Sequence, residues 1–517
     1  MHRALKFVAI AITLIALGSL LSLYTYGRFA DQARGRPSKA LVPDGNLTRI
    51  DQVIAPLTAA HPDESGLALV SSNIDAFAVR ALSARHAGRS LDLQYYLWHD
   101  DLTGRLLAAE ALAAADRGVR VRVLIDDINA HSADAAFRAL DVHKNIEVRM
   151  FNPSRNRGGT LGRATEMLFR GLSLNRRMHN KAWIVDGQLA VVGGRNIGDE
   201  YFDAAQQTNF LDADVVLVGP AVAQTSAIFD EFWNSPSAIP INTLAEEAKR
   251  PLDDIRQALA AIVQGPEAQP YLDHVRKSAV VRAWVDGEAP LHWTSSARVY
   301  SDPASKAQGT GEDGWLIRAI MTTIASAKTE LTIISPYFVP GEEGTRALVR
   351  AAQSGITINI LTNSLASNDV MAVHSGYARY RVPLLRAGVN LYELMPFGDT
   401  NSSLLGSSGA SLHTKAFVVD RRKGFVGSFN FDPRSARLNT EMGVMFKDPA
   451  LAEELLAEYR LHIAADKSYQ LTLDDNEVRW TDRRETPPRT WSVDPETSIW
   501  QRLVVALMSW LPIEKQL

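Results

Sequence analysis

MHNKAWIVDGQLAVVGGRN (178–196) and LHTKAFVVDRRKGFVGSFN (412–430) are two copies of one pattern. Aligned without gaps, they set His179 against His413, Lys181 against Lys415, Asp186 against Asp420, Gly193 against Gly427 and Asn196 against Asn430. The residues between the two apolar runs change completely while every polar member keeps its spacing. A His and a Lys two residues apart point to the same face of a strand. The apolar run after the Lys continues that strand, and the Asp falls at a turn, where Asp186-Gly187 is a two-residue hairpin signal. The second apolar run leads back to a Gly-rich bend that returns the Asn to the His/Lys end. Each copy then offers an imidazole, an ammonium and an amide on one rim. A lone His-x-Lys is ordinarily a solvated strand face, and an Asp before a turn is ordinarily a turn former. Two copies with all five positions in register call for another explanation.

The surroundings of the two copies repeat as well. LDLQYYLW (91–98) reads as a strand, 104–117 as an Ala/Leu-rich helix and VRVRVLID (119–126) as a buried strand. LTIISPYF (331–338), a helix over 343–354 and ITINILT (356–362) follow the same order. Each second strand begins one residue after a glycine, Gly118 or Gly355, that suits a helix C-cap. Each half then runs through a strand ending in Pro, VRMFNP (148–153) and LYELMP (391–396). Two β-α-β units in one order, each leading to the same polar motif, indicate an internal duplication in an α/β protein. The expected division is a membrane anchor and linker over 1–60, a first half over 61–240, a helical connector over 241–290, a second half over 291–470 and a tail over 471–517.

The bulk properties agree with this size. A chain of 517 residues calls for two or more domains. With 46% hydrophobic and 22% charged residues it is globular. A net charge of −3 supplies no broad basic face, so no nucleic-acid partner is expected. The absence of cysteine excludes disulfides, cysteine nucleophiles and thiolate metal sites. Phe7 to Gly27 contains no charged residue, and at about 1.5 Å per residue it is long enough to cross a bilayer about 30 Å thick. It follows Arg3 and Lys6 and shows no clear cleavage site, so an uncleaved N-terminal membrane helix is expected rather than a signal peptide. Basic residues flank the stretch on both sides and leave its orientation open. In the tail, Trp500, Leu503, Val504, Leu507 and Leu511 fall at helical spacing. Such a helix either docks on the core or lies in a bilayer interface.

The chemistry that needs two such rims is phosphoryl transfer at a diester. Its transition state spreads negative charge over the non-bridging oxygens, and Lys181, Lys415, Asn196 and Asn430 are suited to bind them without a metal. One histidine attacks phosphorus and the other protonates the leaving oxygen. In-line displacement needs the histidines on opposite sides of phosphorus, which two similar halves about a pseudo-twofold axis would provide. His-x-Lys is a poor metal site, because it lacks a second ligand and its ammonium repels a cation.

H-x-K-x-x-x-x-D followed by G-G/S-x-N, present twice, resembles the phospholipase D superfamily over about residues 65–470. The resemblance implies a pair of α/β/α halves, a phosphohistidine intermediate, and no metal or cofactor. It makes His179 the nucleophile and His413 the acid/base, with Lys181, Asp186, Lys415 and Asp420 completing the catalytic set. Asn196, Asn430, Gly194 and Ser428 are the implied phosphate-binding positions. Glu441 matches the acidic residue that supports the opposite histidine, and Asp212 stands at the looser equivalent position in the first half. YYLWHDDLTG (95–104), NRRMHNKAWIVDG (175–187), GGRNIGDEYF (193–202) and LPIEKQL (511–517) are similar to bacterial cardiolipin synthases, the C type in particular. That group implies transfer of a phosphatidyl group to phosphatidylglycerol, with phosphatidylethanolamine as the suggested donor, at the bacterial inner membrane. A hydrolytic phospholipase D releasing phosphatidic acid would share every catalytic residue, and a nuclease is the more distant alternative.

Overall fold

The computed structural model describes residues 2–45, 47–128, 133–157, 160–244, 251–278, 283, 290–368, 370–396, 409–511 and 514–516. The first half supplies β1 (Ser65–Val70), β2 (Ser90–Tyr95), β3 (Arg120–Asp126), β4 (Ile146–Phe151), β5 (Ala182–Val185), β6 (Leu189–Gly193), β7 (Thr208–Leu211), β8 (Asp214–Val218) and β9 (Ala238–Pro240). The second supplies β10 (His292–Thr294), β11 (Arg298–Ser301), β12 (Glu330–Ile334), β13 (Thr357–Asn363), β14 (Asn390–Leu394), β15 (Gly409–Leu412), β16 (Ala416–Val419), β17 (Lys423–Gly427), β18 (Met442–Lys447), β19 (Ser468–Asp474), β20 (Glu477–Asp482) and β21 (Arg489–Trp491). One sheet runs β1-β8-β6-β5-β2-β3-β4-β9 and the other β11-β18-β17-β16-β12-β13-β14-β19, the same order strand for strand. β10 extends the first sheet, and β20 and β21 extend the second. In each, the β-α-β units read from sequence give three parallel strands, β2-β3-β4 and β12-β13-β14. The helices between them, Leu102–Asp116 and Gly341–Gln353, are each followed by a glycine with positive φ, 99° at Gly118 and 95° at Gly355. A side chain with a Cβ is strained there.

The sheets bury their inner faces against each other. Ile184, Val192 and Val215 of one share a core with Val418, Val426 and Val444 of the other. Two helices complete that layer by crossing over. Pro220–Trp233 of the first half packs on β11, and Pro449–His462 of the second packs on β1. The outer face of the first sheet is covered by Asn73–His86 and Leu102–Asp116, with helices Leu252–Gln264 and Ala268–Lys277 over them. The fold is therefore a mixed α/β pair of halves about a pseudo-twofold axis.

The N-terminal segment behaves differently from the expectation of a membrane-crossing helix. It forms a helix, His2–Gln32, but among the described residues no helix is long and apolar enough to cross a membrane. It packs along a second helix, Thr160–Leu174, so closely that a Cβ on Gly18 would lie 2.4 Å from Phe169. Its last turns dock on the body, where Ala30 and Ala33 pack on Ile239, and Arg170 stacks over the Tyr26 ring at 3.2 Å. The stretch after it, read as linker, is fastened rather than free. Ala40 N–H donates to Asp230 at 2.8 Å, and Thr48 caps a helix, Arg49–Ala59, whose buried Asp51 pairs with Arg89 at 2.6 Å.

Candidate active site

The two motifs meet across the interface between the halves. His179 and Lys181 lie just ahead of β5, and His413 and Lys415 just ahead of β16, in extended chain rather than within the strands. Each histidine is fixed by the opposite half. The His179 N–H donates to the Thr440 carbonyl at 2.8 Å, and its Nδ1 lies 2.8 Å from Glu441 Oε2. The His413 N–H donates to the Leu211 carbonyl at 2.8 Å, and its Nδ1 lies 2.6 Å from Asp212 Oδ2. The pairing of β7 with β15 brings Asp212 to this position. With Nδ1 occupied by a carboxylate, Nε2 is the ring nitrogen left for chemistry. Aromatic edges hold both rings: Tyr96 meets His179 at 4.9 Å, Tyr201 meets His413 at 5.2 Å, and Phe210 stacks on His413 at 4.9 Å.

The electrostatics favour neutral imidazoles. Burial first, then the charges of Lys181 and Lys415 and the neighbouring His413, hold His179 well below the usual histidine range. Burial and Lys415 lower His413, against the opposing pull of Asp212. Lys181 is lowered by burial and Lys415, although Glu441 opposes this. Each lysine donates to the carbonyl of its own histidine, Lys181 at 2.7 Å, and Lys415 does the same. The supporting carboxylates differ. Burial raises Glu441 to about 7 against the pull of Lys181 and of donors on Ser428 and Ser435. Burial would raise Asp212 too, but Lys415 and His413 hold it below the usual range. As pH rises through about 7, Glu441 becomes charged and stabilises positive charge on His179. The expected kcat/KM therefore climbs through that region, and Glu441→Gln should remove the climb and lower the plateau. Profiles of both proteins check this, and an unchanged acid limb in the variant would contradict it.

The roles expected of Asp186, Asp420, Gly194 and Ser428 need correction. Asp186 and Asp420 sit at the far end of their hairpins, about 16 Å along the strand from Lys181 and Lys415 at about 3.3 Å per residue. The turns span three residues, with Val185 paired to Leu189 and Val419 to Lys423, rather than two. Asp186 accepts from the backbone N–H groups of Gly88, Arg89 and Ser90 at 3.0, 2.7 and 2.9 Å. Asp420 accepts in the same way from Lys328, Thr329 and Glu330 at 3.0, 2.8 and 3.1 Å. Burial works against its charge, yet these N–H groups hold Asp420 at about 2. Both aspartates tie the hairpin to the start of the central strand and do not touch the reacting centre. Asp186→Ala should cost about 3 kcal/mol of stability, since it strands three backbone N–H donors, that of Ser90 buried. The folded variant should keep kcat within about twofold. Thermal unfolding and turnover per folded molecule measure both, and a large loss of kcat at full stability would restore a catalytic role.

Gly194 and Ser428 also face away from a phosphate. A Cβ on Gly194 would lie 2.2 Å from Asp212 Oδ1, so glycine is required for the carboxylate to reach His413. Ser428 Oγ donates to Glu441. Asn196 and Asn430 are both buried. Asn196 Nδ2 donates to Tyr201 Oη at 2.8 Å, while Asn430 Oδ1 is buried without a hydrogen-bond partner among the described residues. Sequence reasoning passed over Ser435, which donates to Glu441 Oε1 at 2.8 Å, and the two tyrosines. Ser435 follows Asn430 by five residues, and Tyr96 stands in a quoted strand. Tyr201 follows Asn196 by the same five residues, but the residue type differs between the copies, so no shared residue marked the position. Among the described residues one group has metal-ligand geometry, His99, Asp101 and Glu200, and none of its members belongs to the two motifs. Asp101 is there engaged as a helix cap on Gly104.

The family model described as the PLD-like domain of cardiolipin synthase matches residues 83–233 and 320–462, one segment around each motif. The chain belongs to that family. Cardiolipin synthase C of Escherichia coli (strain K12) is 41% identical over 476 residues, covering 90% of this chain and 99% of that protein. An uncharacterized protein of Helicobacter pylori (strain J99 / ATCC 700824) is 33% identical over 472 residues, covering 91% of this chain and 93% of its own. The crystal structure of phosphatidylserine synthase from Haemophilus influenzae Rd KW20 matches with a TM-score of 0.56 at 13% identity. The match covers 91% of this chain and 100% of that one, a likeness of fold. As a member of the PLD-like family, the chain is a phospholipase D-type phosphatidyltransferase.

Proposed function

We propose that the chain makes cardiolipin, transferring a phosphatidyl group from a second phospholipid, phosphatidylethanolamine, to the glycerol hydroxyl of phosphatidylglycerol. The observation that carries this is the crossed pair of dyads, in which each half supplies the carboxylate for the other half's histidine. In the first step His179 Nε2 attacks phosphorus and the P–O bond to the leaving alcohol breaks. His413 gives that alcohol its proton from its imidazolium form, the minority state that ionised Asp212 stabilises. In the second step the acceptor hydroxyl attacks phosphorus, His413 takes the proton back and the P–N bond breaks. Lys181, Lys415, Asn196 and Asn430 bind the non-bridging oxygens throughout. His179 suits the nucleophile because burial and the charges of Lys181 and Lys415 hold it neutral.

The enzyme works at the bacterial inner membrane, with helix His2–Gln32 as its single anchor. Leu14, Leu17, Leu20 and Leu21 of that helix are exposed, as are Leu161, Met167 and Leu172 of Thr160–Leu174 beside it. The experiment is lipid analysis of a cardiolipin-deficient bacterial host expressing the chain. Restored cardiolipin, lost again with His179→Ala, is the expected result. Phosphatidic acid in place of cardiolipin would make the enzyme a hydrolase instead.

A further inference from the structure

The two halves differ on their outer faces. In the first half, helices Asn73–His86 and Leu102–Asp116 pack directly on each other, and the connector helices close over them with Ile255, Leu259 and Tyr271 buried. Their counterparts in the second half, Leu316–Ala325 and Gly341–Gln353, stand apart. Between them opens a chamber of about 1160 Å³. Ile317 and Ile324 form one wall, Leu348 and Ala351 the other, and Leu331 and Ile333 the floor. This volume exceeds the roughly 300–1,000 Å³ of ordinary small-molecule sites, and no part of the fold described so far needs it.

Three features say what the chamber takes. Its inner end lies against Phe429 and Phe431, the chain neighbours of Asn430. Its polar boundary includes exposed Arg350 and Arg437, whose guanidinium groups make no ion pair among the described residues. Such groups suit a phosphate or other anionic headgroup. Its rim is formed in part by the C-terminal tail, where Glu514 accepts from Tyr380 Oη at 2.7 Å and pairs with Arg379 at 3.1 Å. Just before that rim, helix Ile499–Ser509 docks on Met371–Ala378 by one side. It leaves Trp500 and Trp510 exposed, 74% and 85%, with Leu503 and Leu507 between them. An exposed Trp/Leu face at the mouth of an apolar chamber is the arrangement of a port seated on a bilayer.

We propose that this chamber holds the acyl chains of a phospholipid substrate while its phosphate lies at Asn430, so that the second half carries a lipid-chain site. The inference rests on the phospholipid reading of the active site and adds where the apolar part of the lipid goes. The tail helix sets the port at the membrane, and a lipid enters by sliding from the bilayer without passing its chains through water.

The test fills the chamber and varies the chains. Ala351→Trp and Ile324→Trp are compared with the unaltered protein on two substrates. One is vesicles of long-chain phosphatidylethanolamine and phosphatidylglycerol, and the other is the same lipids with hexanoyl chains, dispersed as monomers. The rate followed is total phosphatidyl turnover, cardiolipin plus phosphatidic acid. Both variants should lose about tenfold or more in kcat/KM on the long-chain lipids and stay within about twofold on the short-chain ones. Separate KM values for donor and acceptor show which lipid the chamber seats. Equal losses on both substrates, or no loss on either, would overturn the proposal. A phospholipid with a photoreactive group at the chain terminus gives a second readout on the unmutated protein. It should label 316–325 and 341–353, and labelling confined to the first half would overturn the proposal too. Product identity is read separately. Phosphatidic acid alone would change the proposed function and leave the chamber standing, whereas normal cardiolipin with chain-independent losses would do the reverse.

Discussion

His179→Ala will lower kcat/KM for phosphatidyl transfer by about 10⁴-fold or more, because it removes the group that forms the covalent intermediate. The variant should fold normally. The lost ring is held by one carboxylate and an aromatic edge, and the backbone N–H of residue 179 keeps its bond to the Thr440 carbonyl. Glu441 is left with its serine donors. His413→Ala should be nearly as inactive in turnover but different in kind. It keeps the nucleophile and loses the proton donor, so a substrate with a good leaving group, such as a nitrophenyl diester, should recover at least about a hundredfold of the lost rate. His179→Ala should recover none. Stopped turnover with equal leaving-group rescue in both variants would mean that the roles are not divided as described.

Lys181→Met and Lys415→Met form the second large effect. Each should cost about 10²–10³-fold in kcat, the usual consequence of removing a preorganised positive group from a developing charge. Stability should move the other way. Burial pushes Lys181 well below its ordinary range, so the folded state disfavours its ammonium form. A lysine with a lowered folded pKa destabilises the protein at every pH below its unfolded value, including neutrality. An apolar side chain of similar length removes that cost. Lys181→Met should therefore raise the thermal midpoint, or leave it unchanged, while activity collapses. A variant that loses activity and unfolds at lower temperature would show that the lysine is structural.

The in-register duplication made the catalytic pair legible, because chemistry fixes His179, Lys181 and their partners to one spacing in both halves. It misled about Asp186 and Asp420 for the same reason. Spacing shows that a residue is kept, not which end of a hairpin faces the substrate, and these carboxylates are kept to hold backbone N–H groups. Gly194 and Ser428 looked like cradle residues, yet what differs between them is room for a carboxylate: Asp212 needs a glycine, while Glu441 accepts from a serine. The β-α-β order was readable from apolar runs and glycine caps. The docking of His2–Gln32 on Thr160–Leu174 was not, since an uncharged run reads alike whether its neighbour is lipid or another apolar helix. The chamber was also invisible. It is a space between two helices whose sequences resemble packed ones, and only the placement of the connector over one half reveals the difference.

The central claim is that two homologous halves form one active site in which only His179 carries the intermediate. Turnover quenched in denaturant, followed by peptide mapping under conditions that preserve phosphoramidate bonds, tests it most directly. A phosphatidyl group is expected on the peptide containing His179, increased in His413→Ala when a good leaving group is used, and absent from the peptide containing His413. An adduct on His413, or on both histidines in equal amount, would contradict it.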